Sequence, residues 1–303
     1  MTTTLTATAA RTGRESPRPR GLTWTVLRLH RTALIFWGLA LTAAVAALIW
    51  VYVIGDEARR GLSACAEPVA ADGLPSCASV VAITADDTYR TVLSLVADAL
   101  SYLIFPVAAW AGGALIGREL ESGTARLAWT QSVTPVRWLA AKLAVPAALL
   151  TAGTGTVALL KGAMGDDNPS LVGDWYFPEV FISTGPTAVA YPLAGLALGA
   201  LAGLLLRRTL PAAGAGLVAA LVLFNVLERS REDFWPSVTR VEAGEFELPR
   251  SAWQLDWNEH FTRATFHPQS HFWPLQYVET GIVLAVAAAA TLTAFWLLRR
   301  RTP

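Results

Sequence analysis

Long apolar stretches dominate this sequence and limit what it can fold into. Six of them are long enough to cross the hydrocarbon core of a bilayer, which takes about 20 residues of helix. They cover residues 32–54, 93–116, 138–160, 186–206, 210–227 and 278–298. Backbone amide groups in the bilayer core must be hydrogen-bonded within the protein, which favours helices. We therefore predict an all-α, polytopic membrane protein with six transmembrane helices.

The composition agrees with a membrane setting. Hydrophobic residues make up 53% of the chain, the mean hydropathy is +0.42 and only 16% of residues are charged. Ordinary soluble proteins carry about 25% charged residues. The chain also contains 12 tryptophans, and tryptophan collects at membrane–water interfaces. The net charge of +1 gives no reason to expect a nucleic-acid partner.

The distribution of basic residues predicts the orientation. When six spans are threaded through a membrane, fifteen of the 24 lysines and arginines fall on one face. By the positive-inside rule that face is cytoplasmic, together with both termini. The outer loops are then residues 55–90, 161–185 and 228–274. We expect a multi-pass protein of the cytoplasmic membrane.

The N-terminal segment differs in composition from the rest of the chain. Residues 1–20 are rich in Thr, Ala, Pro and Arg, a composition that predicts a disordered cytoplasmic tail. Residues 21–31 mix apolar and basic side chains, which is typical of an amphipathic helix lying in the membrane interface. The transmembrane domain is therefore assigned to residues 21–303.

A charged island, residues 117–138, separates the second and third apolar stretches. Gly123 can adopt the left-handed conformation that ends a helix, and Thr124 can then cap a new one. Thr134 followed by Pro135 is a start signal for the next membrane helix. We predict a short helix at the cytoplasmic surface. The apolar residues expected to face the membrane or a partner are Ala125, Leu127, Ala128 and Val133.

The island resembles the corresponding segment of ABC-2 type permeases, the transmembrane subunits of ABC transporters, and particularly the actinobacterial ones. The matching residues are Gly117-Arg118-Glu119, Glu121, Gly123-Thr124, Trp129-Thr130-Gln131-Ser132, Arg137-Trp138 and Lys142-Leu143. A weaker similarity runs from His271 to Glu279, just before the last membrane helix. In that family the segment between the second and third membrane helices is the coupling helix, which docks on a separate ATP-hydrolysing subunit.

The resemblance implies an ABC-2 type exporter architecture with an N-terminal interfacial helix, a cytoplasmic coupling helix and short re-entrant helices in the last outer loop. It also implies an ABC ATPase partner and a homodimer or heterodimer of permeases in contact with membrane lipids. No cofactor is expected on this chain, because ATP and Mg would be bound by the ATPase. The residues expected to contact the ATPase are Arg118, Glu119, Glu121, Thr124, Arg126, Leu127 and Trp129. Anchoring of the island to lipid headgroups is the alternative role.

Sequence motifs for nucleotide binding or hydrolysis are missing from the chain. There is no Gly-x-x-x-x-Gly-Lys-Ser/Thr, no Gly-x-Ser-x-Gly and no His-Glu-x-x-His, so catalysis by this chain alone is not expected. Mostly apolar spans suit export of a hydrophobic or amphipathic substrate such as a drug, an antibiotic or a lipid. The alternatives are an integral membrane enzyme of lipid or cell-wall metabolism and a membrane scaffold.

Asp98 is the clearest ionisable residue within a predicted span. Acids inside a membrane are costly and usually face a bundle interior or a polar path. Asp98, Ser101 and Tyr102 are therefore candidates for the substrate path. The alternative is that Asp98 lies near the outer interface in contact with water.

Three further patterns predict local contacts. Cys65 and Cys77 share one outer loop, which favours a disulfide in an oxidising compartment, with unpaired thiols as the alternative. Gly195, Gly199 and Gly203 recur every four residues of the fourth span, a pattern that permits close helix packing. The histidines of the last outer loop lack an accompanying cysteine and regular helical spacing, so we expect no metal site. They are His260, His267 and His271.

Overall fold

The computed structural model describes residues 27–28, 30–66, 80–131, 133–167, 174–258 and 262–301. The predicted tail 1–20 and most of the predicted interfacial helix 21–31 lie outside these ranges. Within them, six helices are long and apolar enough to cross a membrane, as judged by length and composition. The prediction of an all-α polytopic membrane protein is confirmed.

Ten α-helices are described, and we number them in chain order. They are α1 Arg31–Ala66, α2 Val80–Ser101, α3 Ile104–Trp110, α4 Arg118–Glu121, α5 Thr124–Gln131, α6 Pro135–Asp167, α7 Pro178–Ser183, α8 Thr187–Leu206, α9 Thr209–Ser230 and α10 Phe272–Arg301. Two short 3₁₀ turns, Arg231–Asp233 and Gln269–His271, flank a small sheet between α9 and α10.

Several helices continue beyond the predicted membrane spans. The outer loop predicted over 55–90 is largely helical, because α1 runs to Ala66 and α2 starts at Val80. In the same way α6 runs to Asp167, inside the predicted loop 161–185. A helix forms its own backbone hydrogen bonds in water as well as in lipid, so it can continue beyond the membrane. Polar residues in the sequence therefore mark where a helix leaves the hydrocarbon core of the bilayer, and the helix itself can end later. The predicted Cys65–Cys77 disulfide falls outside the described residues.

The second membrane helix is interrupted twice. α2 ends at Ser101, and a turn at 102–103 separates it from α3. Pro106 explains the break, since it has no N–H to bond the carbonyl of Tyr102 four residues earlier. Residues Ala111–Gly117 then form a π-helix that leads into α4.

Glycines bring α3, the π-helix, α8 and α9 into backbone contact. A methyl group on Gly199 would lie 2.2 Å from the carbonyl oxygen of Ala108, and one on Gly195 would lie 2.5 Å from that of Ile104. On Gly203 it would lie 2.8 Å from Cβ of Ile116. The predicted close packing along this glycine face is confirmed. These contacts place the interior of the bundle around α8.

The last predicted outer loop, 228–274, contains an antiparallel three-stranded sheet in the order β1-β3-β2. The strands are β1 Val238–Val241, β2 Trp253–Trp257 and β3 Arg263–His267. The short re-entrant helices expected from the family resemblance are replaced by strands in this part of the described chain. Buried and exposed side chains alternate at the start of β3, a pattern that favours a strand over a helix. Ala264 and Phe266 are buried with Ala252, while Arg263 points to solvent.

Candidate functional site

The island folds as two short helices between long membrane helices. α4 ends at Glu121, Gly123 has a left-handed φ of 75°, and α5 starts at Thr124. The backbone N–H of Arg137 donates to Oγ1 of Thr134 at 3.3 Å, and α6 begins at the following proline. The predicted helix end at Gly123 and the predicted start at Thr134-Pro135 are confirmed. The new helix does begin at Thr124, but the Thr124 hydroxyl donates to the carbonyl oxygen of Glu119 and does not cap that helix.

Glu119 joins the island to the start of α6. Nε1 of Trp138 donates a hydrogen bond to Glu119 Oε2 at 3.0 Å, and Lys142 forms an ion pair with Glu119 Oε1. Lys142 is only 3% exposed, and its Nζ lies 3.1 Å from Nε2 of His30. We call these four residues the Glu119 junction. It holds the N-terminal segment, the second membrane helix and the third membrane helix together.

His30 is neutral within this junction. Burial, followed by the positive charge of Lys142, lowers the pKa of His30 to about 4. At neutral pH its Nε2 therefore accepts a hydrogen bond from the lysine, with the proton on the other ring nitrogen. The ring also meets Trp110 edge-on, with ring centroids 5.5 Å apart.

Glu121 caps a different membrane helix. Its Oε2 accepts hydrogen bonds from the backbone N–H of Thr209, at 2.8 Å, and from the hydroxyl of the same residue. The first N–H groups of a helix lack partners within that helix, and a carboxylate is favoured at this positive end. Glu121 therefore fixes the island to the start of α9. This contact joins residues 88 positions apart.

The short helix α5 has two unlike faces. Ala125 is buried, and the ring of Trp129 meets Trp138 edge-on with centroids 5.6 Å apart. Leu127 is 60% exposed, and Gln131 on the same side is exposed too. The expectation that Ala125 and Leu127 share one face is wrong, because residues two positions apart on a helix point in nearly opposite directions.

The residues predicted to contact an ATPase thus fall into two groups. Arg118, Thr124, Arg126 and Leu127 are exposed, although Thr124 Oγ1 also donates to the carbonyl oxygen of Glu119 at 3.3 Å. The other three are Glu119, Glu121 and Trp129, which are bonded or packed within the chain.

Trp138 and Lys142 are partners of Glu119 that were not predicted from the sequence. They belong to the matched motif, and their spacing of four residues places them on one helix face, which could have indicated a shared partner. His30 and Thr209 carry no such signal, since they reach the island from distant parts of the chain.

A cavity of about 200 Å³ lies between α5 and the ends of α8 and α10. Arg126 lines it from α5, Arg207 from the residue that ends α8, and Arg301 from the last turn of α10. We call it the arginine cavity. Trp129 also lines it, and its indole Nε1 is buried without a hydrogen-bond partner among the described residues. Sequence reasoning missed this cavity because its arginines come from three separate helices.

A comparison with protein families decides the assignment. The model of the family described as ABC-2 membrane transporter related matches residues 36–230, from α1 to the end of α9. The chain belongs to this family. It is therefore a multi-pass membrane permease of the ABC transporter type, a transport subunit and not a catalytic one. The family favours transport over the enzyme and scaffold alternatives.

Two other comparisons add no relative. Neither the search of curated proteins nor the search of solved structures returned a match to the chain.

The residues predicted to line a substrate path lie at the end of α2 in this permease. Ser101 is buried, and its Oγ donates to the carbonyl oxygen of Glu179 at 3.0 Å, which attaches α2 to α7. Tyr102 is 46% exposed and stacks on Phe105, with ring centroids 6.1 Å apart. Asp98 is half-buried one turn earlier. A role of these residues in transport stays a prediction.

A buried ion pair fastens the end of the bundle opposite the island. Arg231 Nε donates to Glu279 Oε2 at 2.7 Å and Nη2 donates to Oε1 at 3.0 Å. The hydroxyl of Tyr191 donates to Glu279 Oε1 at 2.6 Å, and the guanidinium lies 4.3 Å from the ring centroid of Phe181. We call this the Glu279 junction. It joins α7, α8, α9 and α10.

Histidines of the last predicted outer loop do approach each other. Nδ1 of His267 lies 3.0 Å from Nδ1 of His271, and Nε2 of His267 lies 2.9 Å from the carbonyl oxygen of Glu232. The turn between β3 and α10 brings the two rings together without a regular helix. His260 lies outside the described residues. No group of three or more potential metal ligands occurs in the part of the chain that the structure describes.

Proposed function

We propose that this permease is the membrane-spanning subunit of an ATP-driven exporter that moves a hydrophobic or amphipathic substrate, such as a drug, an antibiotic or a lipid, out through the cytoplasmic membrane. A separate ATPase, which binds ATP and Mg, couples to it through residues 118–134. The observation that carries the proposal is the double attachment of the island. Glu119 bonds it to α6 and Glu121 bonds it to α9.

The outward face of α5 is the proposed contact with the ATPase. Leu127 supplies an exposed apolar centre, while Arg118 and Gln131 supply polar groups around it. Interfaces of this kind have a few central residues that carry most of the binding energy. Glu119, Glu121 and Trp129 act here as positioning residues, because their contacts lie within the chain.

The attachment of the island explains how force would reach the membrane. Closure of the ATPase around ATP pushes α5, and the two carboxylates pass that displacement to α6 and α9. The second membrane helix, which carries α4, has a break at 102–103 and a π-helix at Ala111–Gly117. Interruptions of this kind often accompany functional sites in helices. They allow one part of the second membrane helix to move relative to the other.

The proposed transport needs two permeases, as a homodimer or a heterodimer. Each has both termini in the cytoplasm. The exposed apolar side of α9, which includes Val218, Val222 and Val226, is available to lipid or to the second copy. A transport path between two copies is compatible with substrates that dissolve in the membrane.

Replacing Leu127 with Asp tests the coupling. The permease is co-expressed with a Walker-motif ABC ATPase chosen from the same genome, and the amount of ATPase that co-purifies is measured together with ATP hydrolysis. We expect co-purification to fall by at least about tenfold, because a charge at the centre of a protein interface is strongly unfavourable. The control is Val241→Asp in β1, which also places a charge at an exposed apolar position. Equal ATPase recovery with the Leu127 variant and wild type would overturn the proposal.

A further inference from the structure

The arginine cavity lies on the side of α5 turned away from Leu127. Successive residues on a helix are about 100° apart, so Arg126 and Trp129 share a side that faces the membrane helices. Arg207 and Arg301 approach from the ends of α8 and α10. Two functional surfaces can therefore occupy one short helix without overlapping.

The positive charge in the cavity has no acidic partner in the described part of the chain. None of the cavity-lining residues is acidic, and none of its three arginines forms an ion pair with a described Asp or Glu. Nη1 of Arg301 donates to the carbonyl oxygen of Leu204 at 2.8 Å, which holds the guanidinium against the cavity wall. Three cations gathered in this way repel one another and favour an anion between them.

Two local features also indicate a ligand. Arg207 has a φ of 53° and is the one non-glycine residue with a positive φ in the described ranges. Glycine is the usual residue at such a helix end, and an arginine there has a backbone strain that an interaction of its side chain can offset. Nε1 of Trp129 is a buried donor that lacks an acceptor among the described residues, and buried donors normally have a hydrogen-bond partner.

The position of the cavity favours a lipid. α8 and α10 are candidate membrane spans that end at Leu206 and Arg301, so the cavity lies at the level of the membrane interface. Leu204 and Leu297 line it, and the neighbouring Leu205 is an exposed apolar residue. Cationic pockets between membrane helices on the basic side of a membrane bind anionic headgroups.

We propose that the arginine cavity binds the phosphate of an anionic phospholipid. Arg126, Arg207 and Arg301 pair with the phosphate, the indole N–H of Trp129 donates to one of its oxygens, and the acyl chains follow the leucines out to the membrane. The bound headgroup joins α5 to α8 and α10. This site is independent of the ATPase contact, which uses the opposite face of α5.

The test uses the full-length permease without any ATPase. The protein is purified in detergent, mixed with equal amounts of phosphatidylglycerol and phosphatidylcholine, and the retained lipid is counted by native mass spectrometry. We expect wild type to retain phosphatidylglycerol in preference to phosphatidylcholine. The double variant Arg207→Asn/Arg301→Gln should retain it about 25-fold less, since each cation near an anionic headgroup contributes about fivefold. Asn is chosen at 207 because it tolerates a positive φ.

The matched control is Arg299→Gln, which removes an exposed arginine from the same helix end without changing the cavity. It should retain as much phosphatidylglycerol as wild type does. Equal retention of both lipids by wild type would overturn the proposal, as would loss of lipid from the control variant equal to that from the double variant. The wild-type measurement decides the matter even if the double variant fails to fold.

Two further arms separate other anions from the lipid. If millimolar inorganic phosphate displaces phosphatidylglycerol as effectively as excess phosphatidylglycerol does, the site takes free phosphate and the lipid assignment is wrong. If Arg301→Gln abolishes binding of the ATPase while leaving lipid retention unchanged, an acidic protein segment is the occupant. Failure of the Leu127 experiment would leave the lipid result unaffected.

Discussion

Charged junctions fasten helices at both ends of the bundle, but they differ in how far water can reach them. In the Glu279 junction the side chains of Arg231 and Glu279 are 2% and 0% exposed, and every oxygen of the carboxylate is bonded. In the Glu119 junction the carboxylate side chain is 13% exposed, and the exposed helix α5 lies beside it. We call the Glu279 junction sealed, because water does not reach it, and the Glu119 junction open, because water reaches part of it.

This difference suggests that the two junctions have different roles. Buried ion pairs contribute little net stability but hold one arrangement, because breaking them leaves a charge without a partner. The sealed junction therefore keeps α7, α8, α9 and α10 in one arrangement. The open junction can be reached by a partner while still being attached to the membrane helices.

The largest expected effect comes from Glu279→Ala. The substitution leaves the guanidinium of Arg231 buried without a counter-charge, so we expect the free energy of unfolding to fall by about 3–5 kcal/mol. Thermal unfolding in detergent measures it. The control is Glu242→Ala, which removes an exposed ion pair with Arg240 and should cost at most about 1 kcal/mol. A similar loss in both variants would show that the Glu279 junction is not sealed.

Lys142→Met should have a smaller effect. Glu119 would keep its hydrogen bond from Trp138 and gain contact with water, so we expect a loss of about 1–3 kcal/mol in the same unfolding measurement. Arg137→Met, an exposed position on the same helix, is the control and should be nearly neutral. A loss as large as that of Glu279→Ala would break the comparison between the two ends.

The last expected effect depends on pH and comes from His30 at the island end. The pKa of His30 is lowered to about 4 in the folded protein, against about 6.5 in an unfolded chain. Below pH 6.5 the unfolded state therefore binds a proton more readily, and stability falls as the pH drops from about 6.5 towards 4. Above pH 7 this contribution is constant.

The difference in unfolding temperature between wild type and His30→Gln, followed from pH 8 to pH 4, isolates this effect. The difference should be constant above pH 7 and should shift against wild type as the solution becomes acidic. A difference that does not change with pH would show that His30 is not held neutral in the junction.

Local signals in the sequence predicted much of the island. Gly123 and the Thr134-Pro135 pair each act on the backbone within one helical turn, so their effects can be recognised without a structure. Apolar length likewise predicted the six membrane helices. The glycine spacing in α8 predicted its close packing, because it depends on one helix alone.

The remaining features depend on contacts between distant residues. Glu121 and Thr209 are 88 positions apart, and Arg231 and Glu279 are 48 apart, so no periodic pattern joins them. The positions of Glu119 and Glu121 on the island suggested contact with a partner, whereas both carboxylates bond within the chain. Arg207 falls between the predicted spans 186–206 and 210–227, yet its side chain lines a cavity with arginines from two other helices.

The backbone contacts made by Gly195 and Gly199 limit the kind of motion open to this protein. Where a carbonyl oxygen occupies the place of a side chain, neighbouring helices cannot slide past each other without collision. α3, α8 and α9 must therefore turn together as one block during a transport cycle. The gap that admits cargo has to open at the edges of that block, where the contacts are made by flexible side chains.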